Sequence, residues 1–490
     1  MTVDVLPILP LVPVATGLAM LAVKDRRLLA AIDLAGSLVV LALVIAVAHS
    51  VGEEGSLSAG PLRADAVTIP FLLLVGGLAV PTSLYTVGWM KGELASGGMK
   101  PGALRFYYAL VHAFIATMLV TVLADNLGVL WIAMEGTTIT SAILVGFHGH
   151  RDGLEAAWKY IIVTTIGISL GLFGTVLIYA AAAAAQGGSP AGAMSWHVVS
   201  AMADRLDPGI VRIGFIFVMV GYGTKAGLAP VHRWLPDAHS QAPTPVSALL
   251  SGALIKCALY GIIRFHTIAR GACGPELSED LFLLFGVASV VVATPFILAQ
   301  HDLKRLLAYS SVEHVGIAAL GLGFGGRIGT YGALLHVVNH GVTKALVFFG
   351  AGSAIGRYRS RDITAIRGLL GAAPWIGTLF FLGTFALAGL PPFSVFISEL
   401  TVVRAGIGSG HVVSVGVVLL MLVVVFAGLM FHAGRMVFGS APSSVAERGP
   451  EPRTCVLAML LCAAIMLLCG LLLPPVLDGI LARATEVILG

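Results

Sequence analysis

The chain has 490 residues, 58% of them hydrophobic and only 11% charged, with a formal net charge of +4 and a mean hydropathy of +0.96. Soluble domains carry about a quarter charged residues, so the composition excludes the string of soluble domains that length alone would suggest. The basic residues are dispersed over loops rather than gathered in a patch, which argues against a nucleic-acid partner.

Apolar runs recur along the whole chain at about 18–25 residues each, the length a helix needs to cross a bilayer core. They predict an all-α polytopic membrane protein with fourteen spans, at 4–23, 28–48, 66–90, 106–124, 127–147, 157–184, 209–238, 244–266, 281–300, 307–324, 329–353, 372–403, 412–438 and 454–474. The first, MTVDVLPILPLVPVATGLAMLAV, has neither a basic leader nor a small-residue cleavage site and reads as a retained helix. The seventh and twelfth are too long and carry breakers: Gly227 and Pro230 in one, Gly389, Pro391 and Pro392 in the other. Loop lysines and arginines fall sixteen on one side and six on the other. The richer side is expected to be cytoplasmic, which leaves both termini outside, as an even helix count requires. Of the five cysteines, none forms a Cys-x-x-Cys pair, and Cys455, Cys462 and Cys469 recur every seven residues on one helix. They read as small packing residues rather than iron–sulfur or zinc ligands.

Gly227-Leu228-Ala229-Pro230 matches Gly389-Leu390-Pro391-Pro392, and the register then sets Trp234 opposite Phe396 and Asp237 opposite Glu399. The two breaks are five spans apart, an odd number, so the units they mark are expected to be inverted repeats. Broken helices in inverted repeats accompany ion and solute pathways.

A charge at the centre of a bilayer helix costs about 2.5–3.5 kcal/mol on insertion scales. This chain nevertheless carries Glu135, Lys225, Lys256, Glu313, His314, His336, His340, Lys344 and Glu399 within or beside its spans. One reading is a set of buried pairs that fix helix packing; the other is a chain of titratable groups across the membrane. A low dielectric disfavours a charged amine and a nearby carboxylate favours it. A Lys225–Glu135 pair would therefore load and release a proton as its separation changes. His336, His340 and Lys344 are four apart and share a helix face. They span about 12 Å at 1.5 Å per residue, which suits a proton relay. Metal binding by the two histidines is the competing reading, with no carboxylate or cysteine on that face. Lys159 follows Glu155 by four and reads as a structural ion pair. Prolines at the breaks remove backbone hydrogen bonds, and freed groups are tolerated at membrane depth only where protein or water satisfies them. The break after Lys225 is thus expected to give local hydration and a hinge, or else a simple kink.

The stretches GTKAGLAPVHRWLPDAHSQAPTPVSALLSG, DLKRLLAYSSVEHVGIAALGLG, LLHVVNHGVTKALVFFGAGS and LAGLPPFSVFISE, with the glutamate of LWIAMEGTTI, resemble the antiporter-like, proton-translocating membrane subunits of respiratory complex I and its relatives. LEAAWKYIIV, SGALIKCALYGIIRF and SSVEH look most like the hydrogenase-4 component F branch. The resemblance spans roughly 100–440. It implies N-terminal helices over 1–105, a first repeat of helices 4–8 over 106–266, a second, inverted repeat of helices 9–13 over 281–438, and helix 14 with a tail over 454–490. It implies a coupled pair at Glu135 and Lys225, a bridging Lys256, a central axis through His336, His340 and Lys344, and a terminal Glu399, with Glu313, His314 and Asp237 as possible accessories. It also implies a chain with no redox cofactor or metal of its own. Other membrane subunits and a hydrophilic oxidoreductase module carrying iron–sulfur clusters are expected as partners, in a cell membrane. The alternatives are a subunit of a multisubunit Na+/H+ antiporter with no redox partner, and a scaffold whose path is dead.

Overall fold

The computed structural model describes residues 5–188, 192–446 and 449–490. Residue 4, where the first predicted span begins, and Arg448, one of the loop charges used to orient the chain, lie outside the described residues. With no water at bilayer depth to satisfy the backbone, apolar runs resolve into helices that bond within themselves. In chain order they are α1 (Val5–Ala22), α2 (Arg26–Glu54), α3 (Thr68–Ala95), α4 (Leu104–Leu123), α5 (Leu127–Val145), α6 (Arg151–Ala185), α7 (Trp196–Ala201), α8 (Pro208–Ala226), α9 (Trp234–Gln241), α10 (Thr244–Leu249) and α11 (Ile255–Cys273). There follow α12 (Glu276–Leu298), α13 (Leu303–Phe324), α14 (Gly326–Tyr358), α15 (Leu369–Ala372), α16 (Pro374–Leu387), α17 (Ser394–Gly408), α18 (Val412–Val437), α19 (Ser443–Ala446), α20 (Arg453–Leu471) and α21 (Pro475–Leu489).

Among the described residues, thirteen helices are long and apolar enough to cross a membrane. The predicted seventh span is two helices, α8 and α9, and the predicted twelfth is α16 and α17, neither of which is long enough alone. α10 runs through one π turn at Leu250–Leu254 into α11. Three features go beyond the sequence reading. A hairpin of β1 (Ser56–Ala59) and β2 (Leu62–Asp65) precedes α3, with Ser56 opposite Asp65. The short α7 caps the loop before α8. The C-terminal tail forms α21, whose Asp478 and Glu486 meet Tyr331 and Arg327 at the start of α14.

The α10–α11 stretch, α13 and α14 are almost wholly buried and form the centre, while α1, α2, α6, α12, α18 and α20 turn apolar faces outward. Glycines let two helix pairs close backbone to backbone. A Cβ on Gly221 of α8 would strike the backbone of Gly167 and Gly171 in α6, and one on Gly316 of α13 would strike Gly286 of α12. Small residues at such crossings permit close helix approach where no hydrophobic force drives it. Cys455, Cys462 and Cys469 lie buried on α20. The predicted Glu155–Lys159 ion pair is present at 2.7 Å on an exposed turn of α6.

The hairpin is fastened by a charge pair that the sequence reading did not single out. Arg264 of α11 donates to both Asp65 oxygens, at 2.8 and 2.7 Å, to Thr68 and to Tyr260. Its guanidinium also lies 4.1 Å from the Trp196 ring. Burial raises the Asp65 carboxyl, but the guanidinium and its hydrogen bonds outweigh this and hold it below the ordinary carboxylate range. Removing one partner of a buried pair strands the other, at about 3–5 kcal/mol. Asp65→Asn should therefore lower the melting temperature of the detergent-purified protein. The pair's contribution should be present at neutral pH and be lost as pH falls through the folded-state value of Asp65. An unchanged melting curve in the variant would show the pair to be dispensable.

Candidate functional site

The first break builds one end of the site. α8 stops where Gly227 turns left-handed, at φ 81°. Lys225, on the last turn before it, is fully buried. Its amine donates to Thr138 Oγ1 at 2.9 Å and to the Tyr160 hydroxyl at 2.5 Å, and sits 4.7 Å from the centre of the Tyr160 ring. The Tyr160 hydroxyl also bonds Ser141, and its ring stacks on Trp234 at 4.4 Å. Trp234 opens α9 and donates to the Thr224 carbonyl near the end of α8. The break thus folds an indole back beside the lysine that precedes it.

Glu135 does not touch Lys225. Its carboxylate accepts from Thr165 at 2.9 Å and from Thr138 at 3.4 Å. The Thr138 hydroxyl therefore accepts from the amine and donates toward the carboxylate, a one-residue bridge between a buried cation and a half-buried anion.

The centre is held by main-chain oxygens. Lys256 donates to the Ser251 carbonyl inside the π turn, and the Ser251 hydroxyl bonds Ser311 of α13 at 2.8 Å. Lys344 donates to the Leu307 carbonyl at 2.7 Å and to Ser310 at 2.5 Å.

The second break builds the other end. His314 Nε2 lies 3.1 Å from the carbonyl of Leu387, the last residue of α16. A carbonyl only accepts, so this nitrogen carries the proton. In the neutral ring Nδ1 then accepts, from His336 Nε2 at 3.2 Å. His336 Nδ1 lies 3.0 Å from the Ser398 hydroxyl, which donates to the Val395 carbonyl at 2.8 Å. One carbonyl freed by the break fixes the His314 tautomer. Glu399 lies 3.8 Å from His314. Gly389, at φ 70°, leaves room for that carboxylate, since a Cβ there would overlap it.

The sequence reading placed His336, His340 and Lys344 in one line along a helix. The structure adds His314 of α13 beside the two histidines, its ring centre 5.2 Å from His336 and 4.4 Å from His340, which are themselves 5.9 Å apart. Glu313 and His314 are buried in the middle of α13. Asp237 stands apart from the site, in a surface cluster with Arg305 and Lys159. It lines a polar cavity of about 500 Å³ together with Glu155, Ser240 and Asp302, so its alignment with Glu399 does not carry over to its surroundings. The three rings lie within 24° of parallel and stack rather than converge. Among the described residues no cluster is arranged to hold a metal.

The sequence reading missed Thr138, Tyr160, Ser251, Ser310 and Ser398, because hydroxyls cross a bilayer at little cost and leave no mark in a hydropathy pattern. It also passed over Asp33 and His112, a buried pair at 3.0 Å between α2 and α4, although both lie within predicted spans.

Two interrupted helices bracketing a buried row of lysines, histidines and a glutamate define an antiporter-type membrane subunit. Residues 124–424 match the family described as NADH:quinone oxidoreductase/Mrp antiporter, transmembrane. The chain is 37% identical over 374 residues to a hydrogenase-4 component F homolog of Methylacidiphilum infernorum, covering 74% of this chain and 78% of that protein. It is 29% identical over 433 residues to hydrogenase-4 component B of Escherichia coli, covering 84% of this chain and 62% of that one. In fold it is similar to a chain of the membrane-bound sulfane sulfur reductase, an archaeal respiratory membrane complex (TM-score 0.88, 24% identity, 99% and 98% covered). It is also similar to a chain of the Mrp complex from Dietzia sp. (TM-score 0.83, 21% identity, each chain covered in full). The chain belongs to the NADH:quinone oxidoreductase/Mrp antiporter transmembrane family.

Gly389→Ala should cost about 1–2 kcal/mol from its left-handed backbone and push the Glu399 carboxylate off His314. A structure of the variant with that carboxylate still within 4 Å of the imidazole would contradict this account of the break.

Proposed function

We propose that this chain is the proton-translocating membrane subunit of a redox-driven respiratory or hydrogenase-type complex. The observation that carries the reading is the row of buried ionisable groups between two helix interruptions: Lys225 at one, Lys256, Lys344, His340, His336 and His314 in the middle, Glu399 at the other. Intramembrane ionisable groups are costly and mark ion paths by default.

In this reading Glu135 and Lys225 act through Thr138. A proton reaching Lys225 strengthens its donation to the Thr138 hydroxyl's lone pair, and the Thr138 bond to Glu135 adjusts. Lys256 and Lys344 carry charge along the centre, and each releases a main-chain oxygen when it moves. At the far end, a proton delivered to His336 leaves from the opposite ring nitrogen toward His314, and from there to Glu399. The segments at 227–233 and 388–393 are the hinges. The two broken helices belong to inverted five-helix repeats over 106–266 and 281–438, flanked by 1–105 and 454–490. The end of the bundle carrying Lys304, Arg305 and Arg361 faces the cytoplasm, and both termini face outward.

The redox-driven form of the reading is supported by the similarity to hydrogenase-4 components. Electron transfer in a hydrophilic module with iron–sulfur clusters would drive the cycle, with other membrane subunits transmitting it. The similarity to an Mrp chain favours a second reading, a multisubunit Na+/H+ antiporter subunit with no redox partner.

Purification from native membranes in mild detergent, with mass spectrometry of the co-purifying chains, separates the two. Iron–sulfur absorbance and oxidoreductase subunits in stoichiometric amount are expected. Small hydrophobic partners without iron would transfer the assignment to the antiporter. Lys225→Ala in the native complex should abolish proton translocation while leaving assembly intact, measured in sealed vesicles with a pH-sensitive dye. Undiminished translocation would mean that this chain is a scaffold.

A further inference from the structure

His239 is fully buried in α9, the helix that follows the first break. Among the described residues it is the one imidazole with both ring nitrogens buried and unpaired. Its ring stacks on Phe348 at 5.2 Å and 18°, and the Lys344 amine lies 5.9 Å from the centre of that same Phe348 ring. The charged groups acting on it are Lys344 of α14, Lys304 of α13 and Lys256 of α11. Lys304, itself buried, donates to the Ala242 carbonyl at 2.6 Å and reaches Ser247, whose hydroxyl bonds the His239 carbonyl. The neighbouring Ser240 and Gln241 line the polar cavity at the same end of the bundle.

A buried polar atom left unpaired costs about 1–3 kcal/mol, so two on one ring call for an explanation. His314 and His336 are tied by their bonds, to a carbonyl and to a serine. His239 keeps both nitrogens free to take a proton on one side and give it up on the other. We infer that His239 is a proton entry group, linking the polar cavity at the Lys304 end of the bundle to Lys344 and Lys256. The inference rests on the proton-path reading above.

His239→Gln keeps a polar group that does not titrate in this range, and His239→Phe refills the space on Phe348. Both should assemble normally in the native complex and slow proton translocation about tenfold or more, with electrons supplied by the donor that the co-purified subunits accept. A merely structural ring would be replaced by Phe without loss, so wild-type translocation in His239→Phe overturns the inference. In wild-type protein in D2O, the His239 C2 proton should exchange at a rate that varies with pH, as for an imidazole that meets solvent protons. A ring that does not exchange also overturns it, and this measurement stands if the variants fail to accumulate. If Lys225→Ala and Lys344→Ala abolish translocation while both His239 variants retain it, only the entry route falls. If all four retain it, the proton-path reading falls as well.

Discussion

The arrangement depends on main-chain carbonyls that become available at membrane depth. A continuous helix uses its carbonyls internally, whereas a break or a π turn releases some, and in a bilayer each must find a donor. Here the donors are the side chains of the site. His314 takes Leu387 at the second break, Trp234 takes Thr224 at the first, Lys256 takes Ser251 in the π turn, and Lys304 takes Ala242 beyond α9. The irregular backbone and the ionisable groups therefore stabilise each other. Without these oxygens a buried lysine would lose an acceptor, and without the lysine the oxygen would lose a donor.

The two ends meet this constraint with different chemistry. Around Lys225 the partners are hydroxyls, Thr138 and Tyr160 with Ser141 behind. Hydroxyls rotate, so this end adapts without a fixed polarity. Around Glu399 the partners are imidazoles, and the Leu387 carbonyl fixes which nitrogen of His314 carries its proton. The matching Gly-Leu-x-Pro motifs thus sit at the heads of two unlike environments, the difference lying in what α5 and α6 present at one and α13 and α14 at the other.

Much of this was legible in the sequence, for a physical reason. Charges stand out against an apolar background, and Gly and Pro within an over-long span announce a break. Lys225, Lys256, Lys344 and Glu399 could be picked out one by one. Their partners could not, because a contact such as Thr138 to Lys225, 87 positions apart, leaves no periodic trace. His314 sits next to Glu313 in sequence, yet its place beside His336 and His340 exists only once α13 packs on α14. His239 lies just past the end of the predicted seventh span, in the polar stretch PDAHSQ, and only its burial sets it apart. Asp65 and Arg264 lie at span edges where charge is unremarkable, and their pairing required the hairpin.

The glycine-lined contacts carry a mechanical consequence. α6 with α8, and α12 with α13, meet backbone to backbone through Gly167, Gly171 and Gly221 and through Gly286 and Gly316. Side-chain crossings slide by exchanging rotamers, but crossings at the backbone have nothing to exchange. Close packing of this kind resists sliding, and the backbone interruptions between α8 and α9 and between α16 and α17 stand beside Lys225 and Glu399.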